Sequence, residues 1–159
     1  RRADVDVVTL GVFGLSVTGS HGIEVRSDRL LSEMADETWD MVVLPGGLPG
    51  AHHLRDSADV QSLLKRQHEA GRGLAAICAA PIALGAAGVL DGKRATSYPG
   101  FDAELHGATY DDESRVVEDG TIVTSRGPGT AMEFALTLVA RLADTETADK
   151  LRQGMLVAT

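Results

Sequence analysis

Apolar runs of strand length alternate along most of this chain with longer stretches of helical periodicity. Val5-Asp6-Val7-Val8-Thr9-Leu10 alternates in part and predicts a strand, and Gly22-Ile23-Glu24-Val25 predicts a shorter one. Asp28 to Met34 fits either one helical turn or an extended link. Trp39-Asp40-Met41-Val42-Val43-Leu44 has the continuous apolar run of a parallel strand covered on both faces, and it stops at the loop Pro45-Gly46-Gly47-Leu48-Pro49-Gly50. A helix follows, with Ser57 as N-cap, Val60, Leu63, Leu64 and Ala70 on one face, and Gly71 closing it.

The next apolar run, Leu74-Ala75-Ala76-Ile77, reads as a buried strand and leads straight into Cys78-Ala79-Ala80-Pro81. Pro81 belongs in the first turn of a small-residue helix that runs to about Ala87. Cys78 therefore falls on a sharp strand-to-helix turn, beside the free N–H groups of a helix start, a setting that favours thiolate over thiol. Arg94 to Ser97 predicts a short strand. Arg115–Glu118 and Thr121–Ser125 flank Asp119-Gly120, the signature of a two-residue hairpin. After Gly127-Pro128-Gly129 comes a helix with Thr130 as N-cap and Glu133 completing a capping box, and the last helix spans Thr147 to Gln153. This order of elements predicts an α/β fold, a mostly parallel sheet between layers of helices.

Ligands of such sheets bind at the carboxyl ends of the strands. The loops leaving those ends are Pro45–Gly50, Cys78–Pro81 and Arg126–Thr130. The first resembles a phosphate cradle in position only: it lacks Gly-x-Gly-x-x-Gly spacing and a Lys-Ser/Thr ending, and Pro49 carries no N–H. Gly46 and Gly47 are better placed as donors to an oxygen turning negative beside the thiol. In the third loop, Arg126 with Gly127 and Pro128 opens a helix and suits a carboxylate or phosphate; the competing expectation is a structural ion pair at Arg126. His52 and His53 are the candidates for a Cys–His pair, among five histidines of which His21, His68 and His106 sit in no motif. There is no Cys-x-x-Cys and no His-Glu-x-x-His, so no metal site is expected. Asp111-Asp112-Glu113 reads as a solvated acidic turn.

Composition narrows the partners. The 159 residues predict a single domain, 1–159, and 15 basic against 23 acidic residues give a net charge of −8. With no Lys/Arg cluster, nucleic acid and anionic membranes are not expected partners. The most apolar helix, Ala131 to Leu142, carries Glu133 and Arg141 and is no membrane span. One cysteine permits no internal disulfide, in keeping with a cytoplasmic location. The sequence opens on Arg1-Arg2 and enters a strand at once, which suggests that something upstream is removed or not included.

Taken together, Val42-Val43-Leu44-Pro45-Gly46-Gly47, Gly50-Ala51 with Leu54, Ala76-Ile77-Cys78-Ala79-Ala80-Pro81, and Ser125-Arg126-Gly127-Pro128-Gly129-Thr130 with Glu133-Phe134-Ala135-Leu136 resemble the ThiJ/PfpI superfamily. The branch they are most similar to is that of the Parkinson's-associated protein deglycase and its bacterial relatives. The resemblance implies a flavodoxin-like three-layer α/β/α sandwich, a homodimer, and Cys78 as an easily oxidised nucleophile. It implies enzymes that need no cofactor: glyoxalases on small α-oxoaldehydes and deglycases on glycated groups, with redox-regulated chaperones as the alternative. In the family a glutamate on the first strand–helix segment hydrogen-bonds the cysteine and serves as acid/base. This sequence begins after that segment, so the expectation is a domain lacking its N-terminal strand and helix, and poor folding of residues 1–159 alone. Some relatives carry a histidine where this chain has Tyr98 in Ser97-Tyr98-Pro99, and the tyrosine disfavours a Cys–His–Glu peptidase triad.

Three functions remain in play. The first is thiol addition to an aldehyde carbon, with the N–H groups of Gly47 and Ala79 holding the oxygen. The second is a redox sensor or holdase using the same thiol. The third is a homologue whose thiol is inert.

Overall fold

The computed structural model describes residues 1–157. Its elements are strands β1 (Leu10–Gly11), β2 (Ser16–Thr18), β3 (Glu24–Arg26), β4 (Arg29–Leu30) and β5 (Met41–Leu44), helices α1 (Gly50–Asp56) and α2 (Ala58–Glu69), strand β6 (Gly73–Ile77) and helix α3 (Pro81–Ala86). Strands β7 (Arg94–Ala95), β8 (Thr109–Tyr110), β9 (Val116–Asp119) and β10 (Ile122–Ser125) follow, then helices α4 (Ala131–Leu142) and α5 (Thr145–Gly154). The main sheet has four strands in the order β5-β6-β10-β9. Its first three strands are parallel, and β9 joins β10 as an antiparallel hairpin; Asp119 is itself a strand residue paired with Ile122, so the two-residue turn is Gly120-Thr121, one position later than the Asp119-Gly120 predicted.

Side-chain alternation along these strands builds a core on each face. Leu74 and Ala76 of β6, with Leu44 and Ile122, meet Leu63, Leu64, Ile82 and Leu84 from α2 and α3. Ala75 of β6 and Val123 of β10 point the other way, onto Phe134 and Leu138 of α4. The result is a layered α/β/α sandwich in which β6, flanked on both sides, is a central strand whose Leu74, Ala75 and Ala76 are fully buried. The alanines allow helices to approach the sheet closely. Gly73 at the strand start is similarly tight, because a β-carbon there would stand 2.9 Å from Met41 Cε and 3.0 Å from Asp40 O.

Four further expectations are corrected. Of the Val5–Leu10 run only Leu10 is strand, in a β1 that continues to Gly11 and pairs in parallel with Arg29–Leu30; Val5–Val8 have no ladder partner among the described residues, and β structure requires one. The segment after Pro49 is helical, and α1 escaped notice because Gly50-Ala51-His52-His53-Leu54-Arg55-Asp56 offers only Ala51 and Leu54 as an apolar stripe. Ser57 then ends α1 and caps α2, its side chain accepting from Val60 N–H, as expected. The last helix starts at Thr145, because Asp144 caps it through Thr147 N–H at 2.6 Å.

The fourth correction is at Thr130, which makes no capping hydrogen bond. Pro128–Thr130 form a 3-10 turn, and Thr130 has φ −108° and ψ 1° rather than the extended ψ of a capping residue. Its hydroxyl turns back instead: Oγ1 accepts from Gly127 N–H at 3.1 Å, lies 2.9 Å from Gly127 O, and is 2.6 Å from Ser125 Oγ. Ser125 Oγ in turn donates to Arg115 O at 2.9 Å. Glu133, released from a capping box, accepts from Arg115 Nε at 2.7 Å.

Two stability predictions follow from these contacts. Thr130→Val leaves Gly127 N–H and the buried Ser125 hydroxyl short of a partner, and such orphaned groups cost about 1–3 kcal/mol; denaturant unfolding should register that loss, and Thr130→Ser should recover most of it. The carboxyls of Asp28, Asp111, Asp119 and Asp144 are held below their ordinary value of 3.8, each chiefly by a backbone N–H donor, from Thr9, Ser114, Arg94 and Thr147 respectively. A carboxyl lowered in the folded state contributes stability that is complete above its unfolded value and disappears as pH falls through the folded one. The denaturation midpoint should therefore decline below about pH 4, and Asp144→Asn should flatten part of that decline.

Candidate active site

Parallel strands β5, β6 and β10 end at the same edge of the sheet, so the loops that follow them converge there with the Cys78 loop in the middle. Cys78 has φ +64°, the left-handed region that residues with side chains rarely adopt. Holding a residue there costs roughly 1–3 kcal/mol and persists only where neighbours over-determine it. Here Cys78 N–H donates to Ser125 O at 2.9 Å and Cys78 O accepts from Tyr98 N–H at 2.8 Å. The turn continues through Ala80 N–H to Ile77 O at 3.1 Å and enters α3 with Pro81 at its first position. The sharp strand-to-helix turn read from the sequence is thus formed, and it leaves the thiol half-buried rather than sealed in the core.

The Pro45–Gly50 loop lies directly against it. A β-carbon on Gly46 would stand 2.5 Å from Cys78 Cβ, 2.7 Å from Ile77 O and 3.3 Å from Cys78 Sγ, so only glycine admits the sulfur this close to the loop. Gly47 has φ +90°, and its carbonyl accepts from Ala51 N–H at 2.8 Å, tying the loop to α1. Cys78 N–H is occupied by Ser125, whereas the N–H groups of Gly47 and Ala79 find no protein acceptor among the described residues. Gly46 N–H likewise has no protein acceptor among the described residues, so all three backbone donors named from the sequence remain available to an incoming oxygen.

The Arg126–Thr130 loop closes the other side. A β-carbon on Gly127 would meet Tyr98 Cδ2 at 3.2 Å, so the Tyr98 ring rests on the loop backbone while its amide holds Cys78. Cys78, Ser125, Thr130, Gly127 and Tyr98 thereby form a closed ring of contacts. Pro128 is exposed, and Arg126 is half-buried. The structural ion pair considered for Arg126 is not made: its guanidinium has no carboxylate or hydrogen-bond partner among the described residues. His53 is exposed and stacks edge-on against Phe13 at 5.7 Å between centroids, His52 is half-buried in α1, and neither is hydrogen-bonded to Cys78. Among the described residues no group of His, Cys, Asp and Glu can hold a metal ion, and no helix is long and apolar enough to cross a membrane. Asp111 accepts from Glu113 N–H, Ser114 N–H and Ser114 Oγ, the local turn expected of that acidic stretch. Sequence reasoning missed the Ser125 hydroxyl and Arg115, because their partners lie in other loops.

The sequence pattern of the DJ-1/PfpI family matches residues 1–141. Protein dj-1beta of Drosophila melanogaster is 42% identical over 160 residues, covering 99% of this chain and 86% of its own. The crystal structure of Drosophila melanogaster DJ-1beta superposes with a TM-score of 0.95 at 42% identity, over 99% of this chain and 86% of that one. Protein DJ-1 homolog A of Arabidopsis thaliana is 44% identical over 99% of this chain, which spans only 41% of that relative's length. A glutathione-independent glyoxalase of Caenorhabditis elegans, DJR-1.2, is 32% identical over 99% of this chain and 84% of its own. The left-handed cysteine elbow, the glycine loop packed against it and these similarities lead to one assignment: the chain belongs to the DJ-1/PfpI family.

Proposed function

We propose that this chain carries the nucleophile of a cysteine enzyme that acts on small α-oxoaldehydes or their adducts without a cofactor. The observation that carries this reading is Cys78 at φ +64° on the central strand's end, flanked by the unpaired N–H groups of Gly47 and Ala79. The likeness to a relative named as a glutathione-independent glyoxalase supports the same chemistry. In the first step Cys78 sulfur attacks the aldehyde carbon, a C–S bond forms, and the carbonyl electron pair moves onto oxygen. Gly47 and Ala79 N–H groups stabilise that oxyanion, and protonation gives a hemithioacetal. Transfer of the C1 proton to C2 by a general acid/base turns the adduct into a thioester of the α-hydroxy acid, and water releases the acid and the thiol. The sum is oxoaldehyde plus water to hydroxy acid, with no external oxidant. Gly46 allows the close approach of loop and sulfur, while Arg126, Gly127 and Pro128 border the substrate side.

We also propose that the functional unit is a homodimer. In support, the β2–β3 hairpin and the turn before it leave Phe13 (76%), Val17 (48%), Ile23 (70%) and Val25 (59%) open to solvent, more apolar surface than a free hairpin of this size needs.

In the protein as encoded, conversion of methylglyoxal to lactate should proceed without added thiol or metal and disappear in Cys78→Ser, at unchanged melting temperature. Full activity in Cys78→Ser would exclude the nucleophile. No turnover in the unaltered protein, together with suppressed aggregation of a heated client, would favour the redox-chaperone reading instead. For the dimer, light scattering should report twice the chain mass, falling to one chain in Ile23→Asp.

A further inference from the structure

A groove of about 390 Å³ is lined by Tyr98, Glu113, Arg115, Arg126 and the 127–130 turn, with Cys78 itself outside its walls. Tyr98 links it to the nucleophile, because its N–H donates to Cys78 O at 2.8 Å and its ring rests on Gly127. The charges in this groove are unequally committed. Arg115 is spent on structure: Nε donates to Glu133 at 2.7 Å and Nη2 to Gly129 O at 2.7 Å. Glu113 stands exposed at the rim and is paired with neither arginine. Arg126 is half-buried and unpaired among the described residues, in a chain whose net charge is −8 and whose acidic side chains outnumber its basic ones 23 to 15. A guanidinium presents donors in a planar fork that matches carboxylate and phosphate oxygens. The Tyr98 phenol, 47% exposed as a residue, has no hydrogen-bond partner among the described residues and adds a neutral donor on the same wall.

We infer that this groove is an anion subsite, in which Arg126, seconded by Tyr98, receives a carboxylate or phosphate carried by the compound that reacts at Cys78. The inference rests on the reading of Cys78 as the reactive group and narrows its substrate class. Anionic α-oxoaldehydes and anionic adducts are the preferred compounds, and neutral ones of similar size are poorer. Arg115, neutralised by Glu133, adds little to the potential, and Glu113 opposes it. That opposition acts across a half-exposed rim, so it weakens as salt shortens the screening length to about 10 Å at 0.1 M.

Two alkylating reagents of similar size but different charge test this on the lone cysteine. Iodoacetate and iodoacetamide both transfer a carbon to sulfur with loss of iodide, so intact mass gives each rate directly. The ratio of the iodoacetate to the iodoacetamide rate should fall about tenfold in Arg126→Ala, recover partly in Arg126→Lys, and rise in Glu113→Gln. Arg141→Ala, at the opposite end of the sheet, should leave the ratio unchanged. Inorganic phosphate should slow iodoacetate in the unaltered protein and lose that effect in Arg126→Ala. A ratio that stays within twofold in Arg126→Ala, including the case where both rates fall together, overturns the inference. Failure of the catalytic reading has a separate signature: no turnover of methylglyoxal or of glyoxylate, with the alkylation ratio still dependent on Arg126.

Discussion

Everything at this site hangs on two backbone hydrogen bonds that hold Cys78 in a conformation it would not choose. A cysteine at φ +64° is strained by roughly 1–3 kcal/mol, and each buried backbone hydrogen bond returns about 1 kcal/mol. Ser125 O and Tyr98 N–H provide one bond on each side of the residue, so the strain is offset where it arises. The partners come from the end of β10 and from the stretch after β7, which means that the elbow exists only once the sheet has assembled. Strain of this kind turns the sulfur out of the β6 pleat and toward the loop that carries Gly46 and Gly47.

Small residues make that geometry possible. Ala75 and Ala76 occupy the centre of β6, Ala79 and Ala80 the turn, and Gly46 the facing loop, and none offers a side chain that would push the neighbouring backbone away. Larger apolar residues are displaced outward, to Leu63, Leu64 and Ile82 on one face and to Phe134 and Leu138 on the other. Close packing of this type leaves little room for error, and a single added methyl at Gly46 would collide with both Cys78 and Ile77.

Polar groups under the elbow are arranged as a relay rather than a scatter. Ser125 and Thr130 exchange a hydroxyl contact of 2.6 Å, and through Arg115 O and Gly127 they lock the 126–130 loop to the β9–β10 hairpin. The loop then supports the Tyr98 ring, which closes the ring back to Cys78. This arrangement also explains why Arg126 is free: its backbone N–H donates to Arg115 O while its side chain is left over for the groove.

Local patterns in the chain were enough to place the strands β5, β6, β9 and β10, the hairpin between the last two to within one residue, the Ser57 cap and the turn at Cys78. Each of these depends on φ/ψ preferences or apolar periodicity within a few neighbouring residues. Strand composition alone over-extends β1, because Val5–Val8 have no ladder partner among the described residues, and α1 carries an apolar stripe of only Ala51 and Leu54, too short to mark a helix. The sequence named Cys78, Gly46, Gly47, Ala79 and Arg126, and the strand order then brought their loops to one edge. It misjudged Thr130, since Ser/Thr followed by Glu three residues later reads as a capping box until a 3-10 turn redirects the hydroxyl. Nor could it tell that Arg115 would be consumed by Glu133 and Gly129 while Arg126 stayed unpaired. Sequence alone determined which residues turn and which extend, because those preferences are local; only the tertiary structure decided which donors meet which acceptors, because that depends on the order in which distant strands lie side by side.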